Sequence, residues 1–165
     1  MGNIRVEGKK LIYQRKDELT IIEPYGMNCL RCRSTKNSKI LDENWTVLPP
    51  ATADDCHIEC DGRFATITNG AMKATIDAGQ IWYGGIITYF KKDTPVLHTR
   101  FEGDYSNRNQ HIEGDHYKIS VIFDANEGEH FYGIGQEQVD LFDRKGSTSQ
   151  IIHYNTKSTV PVLYS

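Results

Sequence analysis

The sequence predicts an all-β fold, an antiparallel sandwich or barrel, and three observations predict it. Apolar residues recur with a period of two rather than the period of a helix. Strand-like runs follow one another at intervals of roughly 8–12 residues. Asn-Gly and Asp-Gly pairs, which tolerate positive φ, fall between the runs. No long helical pattern competes.

The runs are clear along most of the chain. KKLIYQRK and LTIIEPYG read as strands near the N-terminus, with EGKK as a turn. NCLRCRS alternates in the same way, and HIEC and RFATITNG follow. Turn signals stand at Asp61-Gly62, Asn69-Gly70, Asp77 to Gly79 and in KKDTP. MKATID places Met72, Ala74 and Ile76 on one face and Lys73, Thr75 and Asp77 on the other. YKISVIFD repeats the pattern with Tyr117, Ile119, Val121 and Phe123. IWYGGIITYF, PVLHTRF, HFYGIG, SQIIHY and TVPVLY complete the set. EQVDLFDRKG is the one short helix or turn, with Val139, Leu141 and Phe142 as a partial stripe. TKNSKILDENWTVLPPATADD and EGDYSNRNQHIEGDH read as long polar loops.

Length argues for one domain, at most one and a fraction. Lys and Arg number 19 against 22 Asp and Glu, a net charge of -3. That balance gives no broad electrostatic footprint for nucleic acid. No window approaches about 18 consecutive apolar residues, so no membrane span is expected. The N-terminus lacks the apolar core of a secretory signal, and a cytoplasmic location with reduced thiols is the expectation.

Four cysteines, Cys29, Cys32, Cys56 and Cys60, raise a zinc reading with His57 as a spare ligand. Strand alternation argues against it, because Cys29 and Cys32 diverge on a strand and no Gly-rich knuckle surrounds them. Neither a metal nor a cofactor is expected. Glu137, Asp140 and Asp143 cluster in sequence, but a glycosidase needs two carboxylates flanking one bond, and proximity in sequence does not supply that. A solvated turn with ion pairs to Arg144 and Lys145 accounts for them. The six histidines show no metal-ligand spacing, YGIG lacks the phosphate-loop pattern, and no serine-hydrolase elbow is present. From the residues alone, no catalytic constellation stands out.

A resemblance adds to this reading. Tyr132, Gly133, Ile134, Gly135 and Gln136 match a Tyr-Gly-Leu-Gly-(Gln/Glu) turn. Phe142, Asp143, Arg144, Lys145 and Gly146 match a Leu-Asp-x-Lys-Gly segment. Asn155 and Thr156, then Val160, Pro161 and Val162, match an Asn-bearing loop before an Ile-Pro-Phe strand. In this order the segments resemble the end of the N-terminal β-sandwich of glycoside hydrolase family 31, which includes α-glucosidases and α-xylosidases. GMNCLRCRST, ITNGAMKATIDAGQIWY and YKISVIFDANEGEHFYG extend the resemblance upstream, and the short YNTKSTVP loop is similar to the bacterial α-xylosidase-type branch.

The resemblance implies a galactose-mutarotase-like supersandwich over residues 1–165, truncated before a (β/α)8 barrel. A barrel takes about 250 residues, and the family's catalytic aspartates lie on it, so no catalytic residue carries over to this chain. What carries over is a substrate-lining role for Asn155 and Thr156, hydrogen bonding to sugar hydroxyls of an α-linked xyloside or glucoside. The stretch alone is expected to be inactive. Missing strands would leave TVPVLY or a neighbour as an open edge, a route to homo-oligomers. Two other readings stay open. One is a free-standing carbohydrate-binding or scaffold module with Trp45, Trp82 and Tyr83 as an aromatic platform, against core packing for those rings. The other is a mutarotase, which needs a His/Glu acid–base pair in a cleft.

Overall fold

The computed structural model describes residues 2–16, 18–45, 47–49, 55–79, 85–100, 109–114 and 116–165, with backbone alone for 109–113, 116 and 117. It forms two compact units, Met1–Asp124 and Ala125–Ser165. The regular structure among the described residues is antiparallel strand. None of these residues forms a helix long and apolar enough to cross a membrane. Trp82 and Tyr83 lie outside the described residues.

The first unit opens with a four-stranded meander, β1 (Asn3–Glu7), β2 (Lys10–Arg15), β3 (Glu18–Pro24) and β4 (Leu30–Thr35). A second meander follows: β5 (Cys56–Cys60), β6 (Phe64–Asn69), β7 (Met72–Asp77), β8 (Ile86–Lys91) and β9 (Thr94–Arg100). β10 (Asn109–Glu113) and β11 (His116–Ile119) make a hairpin. β12 (Ile122–Phe123) then joins the second sheet beside β9.

The period-two pattern explains how the two sheets face each other. Ile4, Leu11, Tyr13 and Ile22 of the first sheet form one buried cluster with Ala65, Ile67, Ala74, Ile76 and Ile87 of the second. Register aligns them: Leu11 stands opposite Ile22, Ile67 opposite Ala74, and Ile76 between Ala65 and Ile87. The alternate residues Ile12, Leu19 and Ile21 form a second cluster with Ile40 from the loop after β4. The first sheet is therefore covered on both faces, which is why β3 is buried almost throughout.

The Asn69-Gly70 signal marks a hairpin, displaced by one residue. Asn69 pairs with Met72, so Gly70 and Ala71 form the loop. Asn69 is buried and spends its amide across the sandwich, donating to Gly26 O (2.8 Å) and Cys29 O (2.7 Å). Asn28 Oδ1 in turn accepts from Ala71 N–H (2.6 Å). The β6–β7 and β3–β4 turns thus satisfy each other's polar groups, and the buried Asn69 amide finds both of its acceptors there.

Several expectations need correction. YKISVIFD is not one strand: β11 ends at Ile119 and β12 begins at Ile122 in a different sheet. Ile119, Val121 and Phe123, expected to share one face of a strand, are exposed. SQIIHY forms no strand beyond a bridge at Tyr154, and Ile151 and Ile152 are exposed. EQVDLFDRKG takes the turn alternative, as bends and turns without a helix, but Val139, Leu141 and Phe142 form no buried stripe and are exposed. The polar segment read as a loop holds β10, and β1 was not among the predicted strands. Trp45 is 87% exposed, so core packing fails for it.

Candidate functional site

The three segments that carried the resemblance fold together in the second unit. β13 (Tyr132–Gln136) pairs with β14 (Ser158–Tyr164). The pairing jumps from Gly133↔Leu163 to Gly135↔Thr159, so β14 carries more residues than β13 across the gap. Pro161 sits in that irregular stretch, where no ladder N–H is required of it. Gly133, Ile134 and Gly135 all have positive φ, at 122°, 66° and 94°. YGIG is therefore a bulge, and its glycines are demanded by backbone geometry.

The Phe142–Gly146 segment is tied to the residues ahead of β13. Asp143 Oδ1 accepts from Phe131 N–H and Lys145 N–H, both at 3.0 Å, and its Oδ2 lies 2.6 Å from His130 Nδ1. Arg144 N–H donates to Phe131 O (2.7 Å). The His130 bond, then the two backbone donors, lower the Asp143 pKa from 3.8 to about 2. A carboxyl whose folded pKa is depressed contributes fully above its ordinary value and loses that contribution as pH falls through its folded value. The amide proton shifts of Phe131 and Lys145 should therefore titrate with a midpoint near 2. A midpoint at 3.8 would show that the tether exerts no pull on the carboxyl.

Glu137, just past β13, is the point where the three segments meet. Its Oε2 accepts from Arg144 Nη1–H (2.6 Å) and from Ser149 Oγ–H (3.3 Å), and its Oε1 is paired with Lys157 Nζ. The Glu137, Arg144 and Lys157 side chains are only 8–9% exposed. The Lys157 bond, with the charges of Lys157 and Arg144, holds the Glu137 pKa below its usual range despite desolvation. The solvated turn expected here holds at the exposed Asp140 and in the Arg144 ion pair, but the Glu137 side chain is only 9% exposed and gains Lys157 as a second cation.

Lys157 also closes the predicted substrate loop. Tyr154 and Lys157 exchange both backbone hydrogen bonds, at 3.2 and 2.9 Å, and so make Asn155 and Thr156 the tip of a two-residue turn. Both tip residues are exposed. Beside the turn a cavity of about 380 Å³ is lined by Glu137, Arg144, Tyr154 and Lys157, with Val139 and Leu141. Resemblance pointed to the tip. It missed Tyr154 and Lys157, which flank the tip and face the cavity.

The remaining candidates are dispersed. Cys29, Cys32 and Cys60 are exposed and Cys56 half-buried, all four as free thiols. Among the described residues no group of His, Cys, Asp and Glu is arranged to hold a metal. Trp45 donates its Nε1–H to Glu43 Oε2 (3.0 Å) on a loop tethered through Tyr25 and Asn44.

The fold defines the class: an antiparallel β-sandwich with an appended two-stranded bulged unit. No family model matches the sequence. The chain is 25% identical over 166 aligned positions to an uncharacterized family 31 glucosidase of Pseudescherichia vulneris, covering 87% of this chain and 30% of that protein. Among solved structures it is similar to a family 31 α-xylosidase from a soil metagenome, complexed with xylose. The TM-score is 0.85 at 21% identity, over 98% of this chain and 26% of that one. Both relatives carry the family 31 name to which the three segments between Tyr132 and Val162 pointed, and the resemblance to that family's β-sandwich stands. The chain spans less than a third of the length of either.

Proposed function

We propose that residues 1–165 are the non-catalytic N-terminal β-sandwich domain of a retaining α-glycosidase acting on α-xylosides or α-glucosides. The chemistry belongs to a (β/α)8 barrel outside these residues, and this domain supports that barrel and lines its substrate pocket with Asn155 and Thr156. The observation that carries the reading is the exposed Asn155–Thr156 turn, mounted by Lys157 on a buried carboxylate. An amide and a hydroxyl on a fixed turn can hold sugar hydroxyls in place, and positioning of that kind accelerates a reaction without taking part in it. A cytoplasmic location is part of the proposal, supported by four free thiols.

A second reading, a carbohydrate-binding module, is favoured by Trp45, a highly exposed ring whose Nε1–H donates to Glu43. One pair of measurements separates the two. The 165-residue chain should give no release of nitrophenol from 4-nitrophenyl α-xyloside or α-glucoside, and xylose should shift the Asn155 and Thr156 amide resonances. Turnover by the chain would defeat the non-catalytic reading, and shifts confined to Trp45 would favour the module.

A further inference from the structure

We infer that the cavity beside the turn is a pyranose-binding subsite in its own right, with Glu137, Arg144 and Lys157 as its polar floor and Tyr154 as its stacking wall. The inference rests on the saccharide reading above and extends it from the turn tip to a built site.

Three observations carry it. The cavity, at about 380 Å³, falls in the range of about 300–1,000 Å³ typical of small-molecule sites. Its floor is charged and more than nine-tenths buried, yet the charges are not used up. Arg144 and Lys157 each commit one N–H to Glu137, and no other described residue accepts from either side chain. An arginine carries about five such donors and a lysine about three, so most have no protein acceptor, and none of these nitrogens is a buried atom left without a partner, so the spare N–H groups open to solvent. The wall is amphipathic: the Tyr154 ring, with Val139 and Leu141, offers apolar surface next to the donors.

This combination matches a sugar better than an anion. A hydroxyl both donates and accepts, so one hydroxyl can give its proton to the carboxylate while taking an N–H from the neighbouring cation. A carboxylate ligand would satisfy Arg144 and Lys157 but would face the Glu137 oxygens with no proton to offer, and a phosphate, which keeps an O–H near neutral pH, would still set its own negative charge against that carboxylate. The apolar C–H face of a pyranose complements an aromatic ring, as flat apolar surface against a π-face does elsewhere.

The test is a titration of the ¹⁵N-labelled 165-residue chain with xylose, glucose and inorganic phosphate. Xylose or glucose should produce saturable shifts at the Glu137 and Lys157 amides and at the Arg144 Nε–H. Tyr154→Ala, an exposed site with little risk to folding, should weaken binding by about fivefold. Lys157→Met should weaken it too while leaving the Glu137–Arg144 pair intact. Unchanged amide resonances at Tyr132, Gly133 and Leu163, which pair within the same unit, would confirm that each variant is folded there. Phosphate shifting these resonances while sugars do not would overturn the inference, as would the absence of any shift. Sugar shifts confined to Asn155 and Thr156 would overturn it and leave the proposed function standing. Shifts confined to Trp45 would overturn both.

Discussion

Ile67→Ala is expected to destabilise the 1–124 unit by about 2–5 kcal/mol. The Ile67 side chain is 0% exposed, and its register partners across β5, β6 and β7 are Ile58 and Ala74. Part of the cost is transfer of the deleted carbons, and part is the cavity they leave. Ala65, two residues earlier on β6, and Ala74, directly opposite on β7, have short side chains on sheet backbone, and these cannot move in to fill the space. Domains are typically stable by only about 5–15 kcal/mol, so the loss is a large share of the whole. Urea unfolding followed by circular dichroism would measure it as a lower midpoint at unchanged slope. Ile119→Ala is the matched control: Ile119 is 70% exposed, and a change within about 0.5 kcal/mol is expected. Similar losses at both positions would contradict this account of the core.

These two isoleucines also mark how far sequence reading reaches. Both lie in runs with period-two alternation, and the sequence distinguishes neither. Alternation reports that a segment has two faces. Which face is buried depends on which sheet arrives opposite, and that is a long-range event. In β7, Ala74 and Ile76, predicted to share a face, meet the first sheet and are buried. In YKISVIFD the chain leaves one pairing at Ile119 and takes up another at Ile122, so the same alternation ends in solvent. Turn residues were more legible because their constraint is local. Asn69-Gly70 and Asp61-Gly62 both lie at real connections, and Asp61 Oδ1 caps its own turn by accepting from Arg63 and Phe64 N–H. The site was legible only in part. Asn155 and Thr156 came from a motif. The Glu137 cluster assembles partners 7 and 12 residues away, with Lys157 farther still, and no spacing rule in a strand-and-turn chain brings those together.

Gly135→Ala is expected to abolish the β13–β14 pairing. Two costs act together. At a φ of 94° an L-residue lies in a region where its Cβ crowds the backbone, which alone costs about 1–2 kcal/mol. The new Cβ would also lie under 3.0 Å from the Ser158 carbonyl oxygen, the Thr159 Cα and the Val160 nitrogen. All three are backbone atoms, so no rotamer change relieves the clash, and the strands must part. Ser158 follows directly on Lys157, so the displacement reaches the residue that closes the Asn155–Thr156 turn and reaches Glu137. The expected result is loss of amide protection at 132–136 and 158–164, with protection at Ile67 and Ala74 retained. Gly146→Ala separates the two costs. Gly146 also has positive φ, at 75°, but a Cβ there meets nothing within 4 Å. It should show the backbone penalty alone and keep the hairpin. If Gly135→Ala behaved like Gly146→Ala, the close strand approach would not be what requires glycine in YGIG, and conformational freedom alone would account for the motif.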